Sequence, residues 1–291
     1  MKPQITIGIC ARNSAKTIAY AIESVIAQDF PHKLIEIIFV DDGSKDATLK
    51  IMKMFASKMN IRSKIFSSEW QGLGKARNTV IDNAEGDYIV WLDSDETLDA
   101  KFLKAQISLM NQNPKAGIAS AALRMVSSGS LLLTLDMIPA LVEYDTQDWA
   151  KPAKLPGTGG ATYRVIAAKQ VGGFDEGLSG SCEDIDIANR IRQKGWSIIR
   201  GEGKFYETHG NLTTIFELWR RYSNQGRYSR RLYKKSSVFF SLYRMNPIAG
   251  FLAGLLYVYR GYKMTNRKIV FLLPFLFFVK MTAWFTGFTK T

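Results

Sequence analysis

Asp93 and Asp95 stand one residue apart at the end of a short apolar run, Tyr88 to Leu92. Oxygen ligands at that spacing suit a hard divalent cation, and such a cation in turn suits phosphate oxygens. The competing reading is a solvated turn after a strand, because an Asp-x-Asp is short. Three more carboxylate clusters fall at or near the ends of expected elements: Asp41-Asp42, Asp175-Glu176 and Glu183-Asp184. Asp41 and Asp42 suit hydrogen bonding to a base or ribose, as acidic residues do at nucleotide crevices, although Asp-Gly turns are common in their own right. Arg77, just past a glycine turn and near a helix start, can meet a base or a phosphate, or be a surface arginine.

The elements that must position these groups alternate between the two periodicities. Ile5 to Cys10 reads as a strand, and Asn13 or Ser14 can cap a helix whose Ile18, Ile22, Val25 and Ile26 share a face. Ile35 to Val40 is the next strand, after which Asp46 opens a helix carrying Leu49, Met52 and Phe55. A short strand at Lys64 to Ser67, a helix from Lys75 to Asn83 behind Gly72-Leu73-Gly74, and the strand Tyr88 to Leu92 follow. Beyond them the pattern predicts a helix over 100–111, a strand over 117–126, a helix over 165–171 and a helix over 182–194. Leu131 to Val142 is apolar without an assignable period, and Gly157 to Gly160 reads as a flexible loop. Strands alternating with helices of about ten residues or more predict an α/β fold, a mainly parallel sheet with right-handed crossovers. Ligands of such a sheet collect outside the carboxyl ends of its strands, which is where Asp41-Asp42 and Asp93-Asp95 fall.

The chain has 291 residues, 46% of them hydrophobic, ample for a core, and a net charge of +13. That charge is confined to one end. Residues 1–211 hold 25 Lys and Arg against 25 Asp and Glu, whereas residues 212–291 hold 14 against 1. A neutral body with a basic, apolar tail is expected to seek a polyanionic surface, lipid or nucleic acid. Met1 to Gln4 leads straight into a strand, so a secretory signal is not expected, and Cys10 and Cys182 form no metal or redox motif, which fits reduced thiols in a cytosolic setting. In the tail, Pro247 to Tyr259 is a charge-free apolar run and Ile269 to Phe288 is apolar except for Lys280. A full span needs about 20 apolar residues, so the first is short and the second borderline. Arg260, Lys263, Arg267 and Lys268 between them resist translocation, which favours helices lying in the interface over a shallow hairpin. A basic helical subdomain packed on the body, without membrane contact, is the alternative.

Ile7 to Asn13, Val40 to Thr48, Gly72 to Asn78 with Ala76-Arg77-Asn78, Trp91 to Asp95 and Glu183 to Asp186 occur in the order seen in family 2 glycosyltransferases, and the chain resembles that family over roughly residues 4–210. The resemblance implies a GT-A catalytic domain, residues 1–211, followed by a membrane-associated tail, residues 212–291. It further implies that Asp41, Asp42 and Arg77 hold the nucleotide of a nucleotide-diphosphate sugar, with Ala11 and Arg12 bordering the base. Asp93 would bond the ribose side and Asp95 would ligate Mg²⁺ or Mn²⁺ at the donor diphosphate. Asp184 would be the general base toward the acceptor hydroxyl, with Glu183 beside it, and His209 lies where many relatives place a metal-binding histidine. Processive synthases of the family carry Gln-x-x-Arg-Trp; Gln225-Gly226-Arg227-Tyr228 has the wrong spacing, so single-sugar transfer is expected. The expected activity is therefore inverting, metal-dependent transfer to a lipid-linked or glycan acceptor at the cytoplasmic membrane face.

Two other classes compete. Asp93-Ser94-Asp95-Glu96-Thr97 also fits the Asp-x-Asp-x-Thr pattern of haloacid-dehalogenase-type phosphatases, with Asp93 as nucleophile, but there the motif usually sits on the first strand. A basic tail interleaved with Tyr and Phe also fits a single-strand nucleic-acid platform, although the apolar runs after Pro247 fit a membrane better, and nucleic acid is not the expected partner. Gly157-Thr158-Gly159-Gly160 lacks a clear preceding strand and does not make a dinucleotide site.

Overall fold

The computed structural model describes residues 2–125, 130–145, 155–178, 181–207, 212–235 and 246–290. These fall into two compact units, one within Met1–Arg124, Asp148–Ser179 and Glu183–His209, the other within Met125–Gln147, Gly180–Cys182 and Gly210–Thr291. The first contains, in chain order, β1 (Ile5–Ala11), α1 (Ile18–Ile26), β2 (Ile35–Asp42), α2 (Thr48–Lys58), β3 (Arg62–Ser68), α3 (Leu73–Asn83), β4 (Tyr88–Trp91), β5 (Glu96–Leu98), α4 (Phe102–Gln112) and β6 (Ala116–Met125). After α5 (Leu131–Asp145), which belongs to the second unit, it resumes with β7 (Thr162–Arg164), α6 (Val165–Gln170), α7 (Glu183–Gln193) and β8 (Ser197–Glu207).

The strands form one mixed sheet in the order β3-β2-β1-β4-β7-β6-β8-β5. β1 runs parallel to β2 and β4, and β2 parallel to β3. β7 runs antiparallel to both β4 and β6. Alternate residues of the central strands pack on opposite faces, as strand geometry requires. Ile5, Ile7, Ile9, Ile35, Ile37 and Phe39 join α1 and α4 residues in one core, while Ile38, Val40, Ile89 and Trp91 join Val80 of α3 and Ile187 of α7 in the other. Burial on both faces is why these strands read as continuous apolar runs. In the parallel register Ala11 lies opposite Asp41 and Gly8 opposite Trp91, so the carboxyl ends of β1, β2 and β4 share one rim. The chain switches direction across the sheet at β1, the place where an open α/β sheet leaves a crevice.

Three strands were not expected from the pattern. β5 and β7 are three residues each, too short to show a period. β8 alternates correctly, but its inward positions include Gly201 and Gly203, which pack against Gln106 and Phe102 of α4. An inward face built from glycine carries no hydrophobic signal.

The second unit is helical: α5, α8 (Ile215–Lys235), α9 (Pro247–Thr265), a 3-10 turn at Lys268–Leu272 and α10 (Leu273–Thr289). The unassigned apolar run is thus a helix, with Pro139 inside it. Thr214 accepts from the Glu217 amide while Glu217 accepts from the amides of Thr213 and Thr214, a reciprocal cap on α8. Asn246 caps α9 by accepting from the Ala249 amide at 2.9 Å, with Pro247 at the first helical position. α8 and α10 approach backbone to backbone. A side chain at Gly226 would strike the Trp284 carbonyl, and one at Gly287 the Ser223 carbonyl. Lys280, the one charge in the second apolar run, is buried against Asp136 of α5 at 2.7 Å, and Tyr222 of α8 donates to the same carboxylate at 2.8 Å. Among the described residues, Lys268–Thr289 is the one helical stretch long and apolar enough to cross a membrane, with Leu131–Val142 apolar but shorter.

Candidate active site

Arg77 is the hub of the rim where β1, β2 and β4 end. It projects from the second turn of α3 and is only 3% exposed. Its Nη1 donates to Glu183 Oε1 at 2.6 Å, and its Nη2 donates to Thr158 Oγ1 at 2.6 Å and Asp93 Oδ1 at 3.3 Å. The guanidinium lies 5.4 Å from the Phe174 ring centre and 5.9 Å from that of Trp91, which meet edge to face. Burial alone would lower its pKa. Asp93 and Glu183 outweigh that and raise it, so the group stays charged.

Both carboxyls at the start of α7 are held above the ordinary range. For Glu183 and Asp184 alike the dominant cause is desolvation by burial, opposed by the Arg77 charge. Glu183 Oε2 is buried and without a hydrogen-bond partner among the described residues. Asp184 Oδ1 accepts from the Ile185 amide at 2.8 Å, and a side chain at Gly157 would come within 3.3 Å of Asp184 Oδ2. The Gly157–Gly160 loop therefore lies against Asp184 through Gly157 and against Arg77 through Thr158. Gly159 is forced by the same crowding, since a Cβ there would strike Glu96 Oε1. Glu96 in turn accepts from the Asp93 amide at 3.2 Å.

The neighbouring acids divide their tasks. Asp42 carries a fold contact: Oδ1 accepts from the Gln71 amide at 2.7 Å and Oδ2 from the Gly72 amide at 3.0 Å, tying the start of α3 to the end of β2. Asp41 is 3% exposed and makes two long contacts of 3.4 Å through Oδ2, to Ser44 and Ser67, while its Oδ1 has no partner among the described residues. Asp42→Ala strands two amides at a cost of about 1–3 kcal/mol. It is expected to lower Tm clearly, whereas Asp41→Ala is expected to leave Tm within a few degrees; thermal melts of the two variants check the contrast.

Ala11 ends β1 in the buried layer, and exposed Arg12 places its guanidinium 5.2 Å from the ring centre of Trp70. Asp95 is half-buried just past β4. His209 lies outside the described residues. No group of three or more His, Cys, Asp or Glu side chains is gathered for a metal among the described residues. Asp93 and Asp95 offer oxygen donors alone, a set that fits a hard cation completed by diphosphate oxygens and not a closed protein cage. The rest of the Glu183–Asp186 motif is structural. Asp186 is 3% exposed and pairs with Arg190 at 2.7 Å, and Arg190 Nη2 donates to the Gly173 carbonyl at 2.7 Å. Asn78 closes the same turn by exchanging hydrogen bonds with the Phe174 backbone at 2.7 and 3.0 Å.

Sequence reasoning missed Thr158, Glu96, Trp70 and Cys10. Cys10 ends up among Arg77, Asp93 and Asp42, with burial pushing its thiol up to about 12, which leaves it un-ionised at neutral pH. A hydroxyl set among glycines was the available signal for Thr158, but no spacing ties residue 158 to residue 77.

With this geometry in hand, the comparisons with known proteins are consistent. The Glycosyl transferase family 2 profile matches residues 6–138, ending before Glu183 and Asp184. Poly(ribitol-phosphate) beta-N-acetylglucosaminyltransferase TarS of Staphylococcus aureus is 33% identical over 101 residues, 35% of this chain and 18% of its own. Cholesterol galactosyltransferase of Borreliella burgdorferi is 34% identical over 103 residues, 35% of this chain and 28% of its own. The chain thus spans well under a third of the length of these relatives. Among solved structures, the mannosyltransferase PcManGT from Pyrobaculum calidifontis, in complex with GDP-Man and Mn²⁺, superposes with a TM-score of 0.73 at 16% identity, covering 100% of this chain and 88% of that one. TarS 1–349 in complex with UDP-GlcNAc superposes at 0.55 and 18% identity, covering 99% and 90%. Residues 6–138 thus match the glycosyl transferase family 2 model, and the fold is that of GT-A transferases such as these.

Proposed function

We propose that the protein transfers one sugar from a nucleotide-diphosphate donor to an acceptor hydroxyl with inversion, at the cytoplasmic face of a membrane and onto a lipid-linked acceptor. The observation that carries the chemistry is the meeting of two carboxylate sets at one buried arginine: Asp93 from the end of β4 and Glu183, next to Asp184, from the start of α7. One set can serve the donor and the other the proton, the division that a single in-line displacement needs.

In this reading Asp41, with its unpartnered Oδ1, and Arg12 with Trp70 receive the base, and Asp93 faces the ribose. Arg77 keeps Asp93 and the start of α7 in register. Asp95, together with His209, would hold Mn²⁺ or Mg²⁺, which when bound neutralises charge developing on the departing diphosphate. Asp184 accepts the acceptor's hydroxyl proton as that oxygen bonds the anomeric carbon. The carbon–oxygen bond to the diphosphate breaks on the opposite face, and the nucleoside diphosphate leaves with the electron pair. A desolvated carboxylate of raised pKa is a better proton acceptor than an exposed one. Membrane attachment rests on residues 212–291, where 14 basic residues against 1 acidic coincide with exposed Ile248, Leu256, Tyr259 and Phe275. The division of labour follows: residues 1–211 catalyse and residues 212–291 attach.

A thermal-shift screen of nucleotide sugars, with and without Mn²⁺, tests the donor and metal roles together. At least one donor is expected to raise Tm more with the ion than without it, and Asp95→Asn is expected to erase that increment. Stabilisation by none of the donors, or an increment that survives in Asp95→Asn, overturns the respective role. Salt-sensitive binding to anionic liposomes and not to oligonucleotides is expected of the second unit's surface.

A further inference from the structure

The second unit holds a cavity of about 590 Å³, lined almost wholly by apolar side chains from α5, α8 and α10, among them Leu132, Leu135, Ile215, Leu276 and Val279. Among the described residues its hydroxyl-bearing lining is Ser130 and Thr213. The Ser130 hydroxyl is committed, donating to the Leu212 carbonyl at 2.5 Å. The wall thus offers an occupant contact area and little hydrogen bonding. The mouth is also apolar: Leu131 is 62%, Ile215 57% and Phe275 63% exposed. Exposed cations stand near these residues in sequence, with Arg220 five positions beyond Ile215 on α8 and Arg267 and Lys268 five and four positions before Leu272. An elongated hydrocarbon with an anionic head satisfies both features, because the chain leaves water while the head stays among cations. A small polar metabolite satisfies neither.

We infer that this cavity takes one hydrocarbon chain of an anionic lipid. The inference deepens the membrane-bound reading above, since it gives a lipid a seat within the unit itself and not merely a surface on which the unit rests. Cooperation between shape and charge sets the expected selectivity. Each methylene that enters should tighten binding about fourfold until the cavity is full, and an anionic head should be preferred over a cationic one.

The test uses the full chain on phosphatidylcholine/phosphatidylglycerol vesicles doped with hexadecyl phosphate carrying a diazirine near the chain end. After photolysis, cross-linked residues are mapped by mass spectrometry. Labels are expected on Leu135, Leu276 and Val279, and non-photoreactive hexadecyl phosphate should compete them away while butyl phosphate does not. Val279→Trp, which fills the cavity, and Ile215→Asp, which places a charge at the mouth on a side chain 57% exposed, should each cut the interior labels about tenfold. Labels on Leu256 and Tyr259, on the exposed side of α9, should persist in both variants and report that folding and membrane contact are intact. Labels confined to α9 in the unaltered chain, or interior labels unchanged in both variants, overturn the inference. The measurement needs no donor, metal or turnover. Interior labelling with no transfer to any lipid acceptor would therefore sink the acceptor reading alone.

Discussion

Asp184→Asn is expected to lower kcat by about 10²–10⁴-fold while donor affinity is kept and the fold becomes more stable. The three effects have one origin. The carboxyl is half-buried at the head of α7, and desolvation raises its pKa in spite of Arg77. Its ionised form is therefore strained in the folded state, which is what makes it a strong proton acceptor. For a carboxyl raised on folding, stability is fully present below the unfolded pKa of about 4 and is lost as pH rises through the folded value. At neutral pH the asparagine variant escapes that loss, so its Tm should exceed that of the unaltered chain, and the difference should vanish below about pH 4. The same titration should appear in kinetics as an acid limb of kcat lying above the ordinary carboxylate range. Full activity in Asp184→Asn, or a Tm difference independent of pH, would remove Asp184 from the proposed mechanism.

Arg77→Ala is expected to be the most destabilising single change in the first unit. Its ion pair with Glu183 is 2.6 Å long, with side chains 3% and 4% exposed. Removing one partner leaves a buried charge uncompensated, at a cost of about 3–5 kcal/mol. Glu183 already has one oxygen without a partner among the described residues. Thr158 and Asp93 lose their common donor in the same step, which should loosen the Gly157–Gly160 loop against the rim. Arg77→Lys keeps the charge but cannot divide it over three acceptors, and should recover only part of the loss. Adding Glu183→Gln to Arg77→Ala should restore stability relative to the single variant, because the orphaned charge disappears. Denaturant melts of the four chains check this, and a single variant as stable as the starting chain would overturn the view of Arg77 as the pin of the site.

The parallel half of the sheet was legible because β1, β2 and β4 are apolar on both faces, and β1 and β2 each lead into an amphipathic helix. β8 was not, because Gly201 and Gly203 fill its inward positions. Leu131 to Val142 had no readable period because the helix is apolar on several sides at once. Lys280 looked like a flaw in an apolar run until Asp136, 144 positions earlier, turned out to be its partner.

By itself, then, the sequence determined the alternation of strands and helices from β1 to β4, the placing of acids at strand ends and the segregation of charge into residues 212–291. Each of these is written in neighbouring residues or in composition. Only the tertiary structure decided which donors reach which acids. Asp42 is occupied by the Gln71 and Gly72 amides while Asp41 keeps an oxygen unpartnered, and Arg77 joins residues 93, 158 and 183. The reason is physical: a carboxylate's role is set by its desolvation and by the donors that reach it, and those donors come from chain segments whose separation in sequence carries no trace of their meeting.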